Sequence, residues 1–297
     1  MYQREDDLVM KRVAFLTSGG DCQALNATMR GVAKALYAAD KDIEIYGILE
    51  GYKGLIYGNY RKMEPSDFSG ILTLGGTILG SSRQPFKHMR KPDANGLDKV
   101  EAMKKTYRDL KLDCLVILGG NGTQKTANLL SEEGLNVMGL PKTIDNDIWG
   151  TDVKFGFSSA MEIATECIDR MHSTAASHGR IMLVEVMGNK VGWLTLYAGI
   201  AGGANMILIP EIPYDENAVI AFLEKRRREG ARYSIVAIAE GAVSVEESKL
   251  KRKEMAALRA ARGEGTATER LARAIEEKTG VETRTQVIGY LQRGGSP

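Results

Sequence analysis

Two carboxylates and a lysine lie close together in residues 141–147, which read Pro-Lys-Thr-Ile-Asp-Asn-Asp. Asp145 and Asp147 are two residues apart, so in an extended backbone both carboxylates would face the same side. One carboxylate could accept a proton from an attacking hydroxyl group while the other helps to hold a magnesium ion, directly or through water. Lys142 is placed to meet phosphate charge. These residue types indicate phosphoryl transfer; the alternative is that the two aspartates only cap the next segment.

A glycine-rich turn precedes this acidic segment by one predicted strand. Residues 119–123 read Gly-Gly-Asn-Gly-Thr, and glycines let backbone amides approach a phosphate where a Cβ atom would clash. Thr123 could begin a helix over residues 124–130, whose positive end would point at the anion. The spacing differs from that of the Walker-type phosphate loop, so the turn alone also fits a tight connection without a ligand. Its place beside the acidic segment favours a phosphate site.

Short β-branched runs alternate with longer amphipathic stretches, a pattern that predicts parallel strands joined by crossover helices. The predicted strands span residues 13–17, 44–49, 114–118, 137–140, 181–186, 206–210, 234–239 and 286–290. Several run directly into glycine turns, and open α/β sheets bind ligands at the carboxyl ends of their strands. A helical stretch over residues 157–176 separates two groups of strands, so we expect a lobe boundary near Gly156. Residues 244–278, rich in Glu, Lys, Arg and Ala, predict one or two solvated helices interrupted near residues 263–265.

The composition limits the classes of function. Of the 297 residues, 43% are hydrophobic, which is enough for one large α/β unit or two lobes. Forty Lys and Arg residues nearly balance 38 Asp and Glu residues, so the overall charge gives no indication of binding to nucleic acid or to a membrane. The three cysteines lack CxxC spacing, which fits reduced thiols and leaves oxygen ligands for any metal. The charged amino terminus does not fit a signal peptide, no apolar run reaches membrane-spanning length, and we expect a cytoplasmic protein.

The sequence resembles the 6-phosphofructokinase family over nearly its whole length. The matching segments, in order, are residues 17–21 (TSGGD), 75–83 (GGTILGSSR), 143–147 (TIDND), 177–180 (SHGR), 184–188 (VEVMG), 201–203 (AGG), 239–240 (AE) and 289–297 (GYLQRGGSP). The resemblance implies a phosphofructokinase-like α/β fold with two lobes of mainly parallel sheets flanked by helices. Residues 1–156 would form the donor-binding lobe, residues 157–290 the sugar-phosphate-binding lobe, and residues 291–297 a return to the first lobe. Family members continue well beyond residue 297, which implies a truncated sequence.

The reaction implied by the resemblance transfers the terminal phosphoryl group of ATP, with Mg²⁺, to the C1 hydroxyl of fructose 6-phosphate. Asp145 would be the general base, Asp147 would orient the Mg²⁺ shell, and Arg83 would neutralise charge on the transferring group. Asn121 would share the metal site, although the familiar bacterial members carry Asp there and the missing charge weakens the ligation. Besides Arg83 and Asn121, the implied donor-binding residues are Gly19, Tyr52, Gln84, Gly120, Gly122, Thr123 and Lys142.

The sugar phosphate would be held mainly by arginines, because a guanidinium group binds phosphate oxygens bidentately. The implied substrate-binding residues are Thr143, Asp145, Arg180, Met187, Gly188, Asn189, Glu240, Arg284, Tyr290 and Arg293. Asn189 stands where many members have Arg, and Tyr290 stands where the familiar bacterial enzymes have His. In this family the counterparts of Arg180 and Arg284 reach the site from a neighbouring subunit. The resemblance therefore implies a homo-oligomer with shared active sites, at least a dimer and by expectation a tetramer.

Two residues give opposite indications of the phosphoryl donor. In the family, Gly at the position of Gly122 leaves room for the nucleotide, whereas pyrophosphate-dependent members place Asp there. Lys142, in contrast, is the residue that pyrophosphate-dependent members use to hold their donor. We expect ATP, because steric exclusion is harder to circumvent than an extra cation, and keep pyrophosphate as the alternative. A non-catalytic sugar-phosphate-binding regulator of the same fold is the other alternative.

Overall fold

A computed structural model of the protein describes residues 11–261 and 265–297, which form two units that the chain enters more than once. The first unit comprises the described part of Met1–Thr143 together with Ile148–Gly156 and Arg293–Pro297. The second comprises Ile144–Asp147 and the described part of Phe157–Gln292. The sequence assigned residues 1–156 to one lobe. In the structure the acidic segment Ile144–Asp147 belongs to the second unit, and the return to the first unit begins at Arg293 instead of residue 291.

The first unit is built on a five-stranded sheet of order β3-β2-β1-β4-β5. Its strands are β1 (Arg12–Ser18), β2 (Glu44–Ile48), β3 (Tyr60–Met63), β4 (Cys114–Gly119) and β5 (Val137–Pro141). Its α-helices are α1 (Ala24–Ala39), α2 (Tyr52–Tyr57), α3 (Lys99–Asp109) and α4 (Asn121–Glu132). All pairs are parallel except the pair of β3 with β2. The sequence did not predict β3, which is a four-residue edge strand with only its last residue buried.

The apolar runs of the sequence form the centre of this sheet. Every residue of β4 is buried, as is every residue of β1 after the first, which is typical of parallel strands covered on both faces. One core cluster contains Leu16 of β1, Ile117 of β4 and Leu130 of α4. Burying a Leu or Ile side chain contributes roughly 1.5–3 kcal/mol, so this packing holds β1, β4 and α4 together.

The second unit has a four-stranded parallel sheet of order β7-β8-β6-β9. Its strands are β6 (Ile181–Val186), β7 (Met206–Leu208), β8 (Ser234–Ala239) and β9 (Thr283–Val287). Its α-helices are α5 (Phe157–His178), α6 (Trp193–Ala201), α7 (Glu216–Arg228), α8 (Val245–Ser248), α9 (Arg252–Ala261) and α10 (Ala267–Thr279). The predicted α/β class with mainly parallel sheets flanked by helices is confirmed in both units.

The last strand begins three residues earlier than the sequence predicted. The apolar residues near 287–290 suggested a strand over 286–290, but β9 ends at Val287 and Gly289–Arg293 forms a 3₁₀ helix. β9 is an edge strand with four exposed residues, so its polar sequence carries no hydrophobic pattern. This correction places Arg284 inside a strand and Tyr290 in the 3₁₀ helix.

The described part of the charged segment 244–278 contains three helices, α8, α9 and α10, where the sequence predicted one or two. The predicted interruption includes Gly263 and Glu264, which lie outside the described residues. After it, Gly265 precedes α10, and the Thr266 hydroxyl and the Glu269 carboxylate form a reciprocal capping box at the start of that helix. None of the helices in the described ranges is both long enough and apolar enough to cross a membrane.

Candidate active site

The two glycine turns of the first unit follow neighbouring strands. Ser18 at the end of β1 is in register with Gly119 at the end of β4, so the turns that begin at Gly19 and Gly120 lie side by side. In the sheet, β2, the next strand along the chain, lies on one side of β1, and β4 lies on the other side of β1. This is a topological switch point, where an open α/β sheet leaves a crevice for a ligand.

Helix α4 begins directly at the second glycine turn. The sequence predicted a helix from residue 124, but α4 starts at Asn121 with Gly120 as its N-cap. Asn121, Gly122 and Thr123 are therefore its first turn, whose backbone amides have no acceptors within the helix. The buried Thr123 hydroxyl donates to the Ser18 carbonyl at 3.3 Å, which ties the start of α4 to the end of β1. The positive end of α4 thus lies at the switch point.

Gly122 is exposed in this first turn and leaves open space. A Cβ atom built at Gly122 would meet no atom within 4 Å, and its φ angle is not in the positive range that favours glycine. At Gly120 the Lys142 carbonyl oxygen would be 3.6 Å from such an atom, an ordinary contact. Neither the backbone φ angle nor the space around the Cβ position therefore requires glycine at position 122.

Tyr52, which the sequence assigned to the donor site, lies buried beside the first turn of α4. Its side chain is buried, and its hydroxyl donates to the Thr123 carbonyl at 2.8 Å. Burial raises the pKa of Tyr52 above its ordinary value, so the phenol remains protonated and can donate this bond. Tyr52 therefore holds the first turn of α4 through this hydrogen bond.

The loop of residues 75–83 is hydrogen-bonded along the end of β1. The Gly19 amide donates to the Ser82 carbonyl at 3.2 Å, and the Ser81 hydroxyl donates to the Gly19 carbonyl at 2.6 Å. The Thr17 hydroxyl donates to the Gly80 carbonyl at 2.9 Å. Gly19 has φ +88°, which favours glycine because a Cβ atom would strain this backbone. The Gly19 amide is thus occupied by Ser82, and Gly19 shapes the loop.

These turns enclose a pocket of about 420 Å³ in the first unit. Its lining contains two of the predicted phosphate-binding cations, Arg83 and Arg293, and the full set is Gly19, Gly20, Asp21, Thr77, Ser81, Ser82, Arg83 and Arg293. Arg83 is exposed, and Gln84 beside it is half-buried. The pocket is therefore polar, and the exposed Arg83 guanidinium is a donor that suits an anion.

Arg293 is held at this pocket by Asp21. One guanidinium nitrogen forms an ion pair with the Asp21 carboxylate, and Nε donates to the Asp21 backbone carbonyl at 3.2 Å. The Arg293 side chain is 18% exposed, so most of its length is packed. The sequence quoted Asp21 in a matching segment but gave it no role, and the structure identifies it as the residue that orients Arg293.

Lys142 and Thr143 are buried at the end of β5. The Lys142 ammonium, in a side chain that is 5% exposed, donates to the Gly20 carbonyl, which places its charge at the first glycine turn. The Thr143 backbone amide donates to the Phe155 carbonyl at 3.2 Å. Lys142 therefore supplies a fixed positive charge to the turn that carries Gly19 and Gly20.

The acidic segment of the second unit is bent, whereas the sequence assumed that it was extended. Asp145 and Asp147 are half-buried, and Asn146 between them has φ +57°. Asparagine is among the few residues that enter this left-handed region readily. The rule that side chains two apart share a face applies only to extended strands, so that part of the prediction is wrong.

The metal prediction named Asn121, in the first unit, and Asp147, in the second. Within residues 11–261 and 265–297, no group of three or more His, Cys, Asp or Glu side chains is arranged to hold a metal ion. A carboxylate oxygen and an amide oxygen are each ligand types that magnesium accepts alongside water and substrate phosphates.

At the carboxyl edge of the second sheet, Glu240 organises the loop after β6. Its Oε1 accepts hydrogen bonds from the amides of Gly188 at 3.3 Å and Asn189 at 2.7 Å. Asn189 is exposed with φ +53°, and a Cβ atom at Gly188 would lie 2.5 Å from the Val191 carbonyl oxygen. Glu240 was predicted to hold sugar hydroxyls, and the structure shows that one of its oxygens already holds this loop.

Met187 and Tyr290 lie at the same edge. The Met187 amide is 3.3 Å from Oε1 of Gln292, a buried residue that the sequence quoted without a role. Gln292 also donates to the Gly289 carbonyl at 3.2 Å, so it joins the Met187 loop to the 3₁₀ helix. Tyr290 is 76% exposed and available to a ligand.

Arg180 and Arg284 lie at the opposite, amino edge of this sheet. Arg180 precedes the first residue of β6, and Arg284 is the second residue of β9. Glu240 and Met187 follow the ends of β8 and β6. Because a strand rises about 3.3 Å per residue, the six residues of β6 separate the two edges by about 20 Å. Within the second unit, these arginines cannot act beside Met187 and Glu240.

Known proteins resemble this chain over nearly all of it. The family profile described as Phosphofructokinase matches residues 12–297. The ATP-dependent 6-phosphofructokinase of Spirochaeta thermophila is 57% identical over 296 residues, which cover 97% of this chain and 81% of that protein. ATP-dependent 6-phosphofructokinase 3 of Bacteroides thetaiotaomicron is 46% identical over 287 residues, which cover 96% of this chain and 80% of that protein.

Solved structures agree with the sequence matches. Phosphofructokinase from Pichia pastoris in the T-state aligns with a TM-score of 0.81 and 31% identity over 99% of this chain, which spans only 31% of that longer chain. A pyrophosphate-dependent phosphofructokinase from Marinobacter aquaeolei aligns with a TM-score of 0.76 over 96% of this chain and 69% of its own, and its 23% identity supports the fold alone. This chain has glycine turns at a topological switch point, and its sequence matches the family profile over residues 12–297. It therefore belongs to the phosphofructokinase family.

Proposed function

We propose that this protein transfers the terminal phosphoryl group of ATP to fructose 6-phosphate and forms fructose 1,6-bisphosphate, the committed step of glycolysis. The observation that carries the choice of donor is the open space at Gly122, in the first turn of α4. A small residue there leaves room for a nucleotide beside amides that favour anions. The names of the two curated relatives described above, both ATP-dependent 6-phosphofructokinases, support the same donor.

In the proposed reaction, Asp145 accepts the proton of the C1 hydroxyl as that oxygen attacks the terminal phosphorus. The bond between this phosphorus and the oxygen that bridges to the next phosphate breaks, and ADP leaves with the electron pair. Arg83, exposed at the pocket of the first unit, neutralises charge on the phosphoryl oxygens. Such electrostatic stabilisation is the main contribution that proteins make to phosphoryl transfer.

Mg²⁺ would be held by Asp147 and Asn121 together with water and the donor phosphates. When bound, it would neutralise phosphate charge. Asn121 lies in the first turn of α4, next to the amides proposed to hold the donor. Its neutral amide is a weaker ligand than a carboxylate, so the affinity for the metal without nucleotide should be low.

The sugar phosphate is proposed to bind Arg293, Met187, Glu240 and Tyr290, with Arg180 and Arg284 supplied by a second subunit. The separation of about 20 Å between the edges of the second sheet supports this division, because one copy cannot bring both groups to one ligand. The active protein would then be a homo-oligomer, at least a dimer. We place it in the cytoplasm, where the free thiols of Cys22, Cys114 and Cys167 would persist.

Turnover of fructose 6-phosphate with MgATP and with magnesium pyrophosphate tests the proposal. We expect fructose 1,6-bisphosphate with MgATP, and loss of about 10²–10⁴-fold in kcat for Asp145→Asn, because its general base would be gone. The buried Lys142 ammonium at Gly20 is the observation that keeps pyrophosphate as the second candidate. Preference for pyrophosphate would establish that candidate, and ligand binding without product would indicate a non-catalytic regulator.

A further inference from the structure

One carboxylate joins the two arginines at the amino edge of the second sheet. Glu282 Oε2 lies 2.8 Å from Nε of Arg180, and Glu282 Oε1 forms an ion pair with Nη2 of Arg284. Each carboxylate oxygen therefore forms an ion pair with one arginine, although only the contact with Arg284 also has hydrogen-bond geometry. The sequence gave Glu282 no role, because a single Glu before a polar strand carries no recognisable pattern.

The strand register explains why these three side chains meet. Ile181 of β6 is paired with Thr283 of β9, and the Ile181 amide donates to the Glu282 carbonyl at 3.1 Å. Arg180 and Glu282 thus immediately precede two paired residues. Glu282 and Arg284 are two residues apart along an extended strand, so their side chains leave it on the same face. The backbone of the sheet, and not chance rotamers, brings the carboxylate between the two guanidinium groups.

The charges of this group favour a fixed arrangement. The contact with Arg180 is the main reason that the pKa of Glu282 lies below its ordinary value, and Arg284 and His178 lower it further. The same contact raises the pKa of Arg180. A second carboxylate, Glu276, lies 3.8 Å from Nη1 of Arg284. The side chains of Arg180 and Arg284 remain 25% and 51% exposed, so both guanidinium groups can still reach an anion.

We infer that Glu282 is a positioning residue that holds Arg180 and Arg284 as one preorganised pair for the phosphate of the sugar. Long arginine side chains lose rotamer freedom when they bind, and a partner that fixes them beforehand reduces that cost. The inference rests on the proposed function, in which these arginines bind fructose 6-phosphate. It predicts that the carboxylate promotes substrate binding, although it also competes with the phosphate for the same guanidinium groups.

Steady-state kinetics of the protein with Glu282→Gln tests this inference. We expect the KM for fructose 6-phosphate to rise about tenfold, with kcat and the KM for ATP changed by less than about threefold, because only ground-state organisation is lost. Glu282→Asp keeps the charge and should recover part of the lost affinity. Glu277→Gln is the matched control, because it removes one exposed carboxylate from the adjacent helix α10.

A double-mutant cycle separates positioning from a general effect on folding. In an Arg180→Ala background, Glu282→Gln should raise the KM by less than about threefold, because part of what it positions is already absent. An unchanged or lowered KM in the single variant would mean that Glu282 only competes with the phosphate, and the inference would be wrong. If the unmodified protein makes no product, the proposed function fails. If Arg284→Ala raises the KM and Glu282→Gln does not, only the inference fails.

Discussion

Replacing Gly122 with Asp should change stability and ATP turnover in opposite directions. The built Cβ atom meets nothing within 4 Å, and the φ angle suits any residue, so the substitution introduces no steric strain. Gly122 is the second residue of α4. Glycine within a helix costs about 0.5–1 kcal/mol relative to alanine, and a negative charge in the first turn gains about 0.3–1 kcal/mol. Gly122→Asp should therefore stabilise the protein by about 0.5–1 kcal/mol and raise Tm by about 2 °C.

The same substitution should abolish most ATP turnover. A carboxylate about 4 Å from a phosphate charge costs about 4 kcal/mol at the effective dielectric of a protein surface, before screening and relaxation. Allowing for both, we expect kcat/KM for MgATP to fall at least about 100-fold, which corresponds to about 2.7 kcal/mol. The assay is coupled detection of fructose 1,6-bisphosphate beside thermal unfolding of the same preparations.

Gly31 offers a matched control for this prediction. It lies in α1, is exposed, and a Cβ atom there also meets nothing within 4 Å. Gly31→Asp places the same charge on the first unit away from the proposed donor site, so ATP turnover should remain unchanged. If Gly122→Asp keeps kcat/KM for MgATP within about threefold of the unmodified protein, the donor does not approach Gly122 and the argument from open space is refuted.

Two further predictions concern backbone strain and pH. Asn146→Ala should destabilise the protein by about 1 kcal/mol more than Asn146→Gly, because φ +57° is unfavourable for alanine and not for glycine; equal unfolding temperatures for the two variants would contradict this. Asp93 accepts hydrogen bonds from the Leu97 amide and the Tyr57 hydroxyl, and the Leu97 bond is the main cause of its lowered pKa. Because the pKa of Asp93 is lower in the folded protein, the stabilisation by its ionised carboxylate is present above about pH 4 and is lost as the pH falls further. Asp93→Asn should therefore reduce the acid-induced drop in Tm. The control variant Asp42→Asn should leave that drop unchanged.

The sequence predicted the buried parts of the fold well, because burial leaves a pattern. β4, with every residue buried, and β6, likewise buried throughout, were found within one residue of their ends. β3 was missed and β9 was displaced, because edge strands are exposed and need no apolar run. Periodicity therefore located the centre of each sheet and the edge strands β5 and β7, but not the edge strands β3 and β9.

For the candidate site, the sequence named residue types but not the contacts between them. The family motifs pointed to Arg293, and the structure places it in the pocket of the first unit with Arg83. They did not reveal that Asp21 orients Arg293 or that Tyr52 is buried behind α4, because those roles depend on contacts between residues distant in sequence. The bend at Asn146 was missed because a positive φ angle follows from local packing and not from residue spacing.

The return of residues 293–297 to the first unit has a consequence for protein synthesis. The pocket of that unit is lined by Gly19 and Asp21, made early, and by Arg293, made 272 residues after Asp21. At about 5–20 residues per second, a ribosome needs roughly 15–60 s to reach Arg293. During that time the nascent first unit can form its sheet, but Asp21 has no Arg293 to pair with and the pocket lacks one wall. The anion pocket is thus completed only after both sheets have been translated, so a nascent chain cannot present the finished pocket before the second unit has been made.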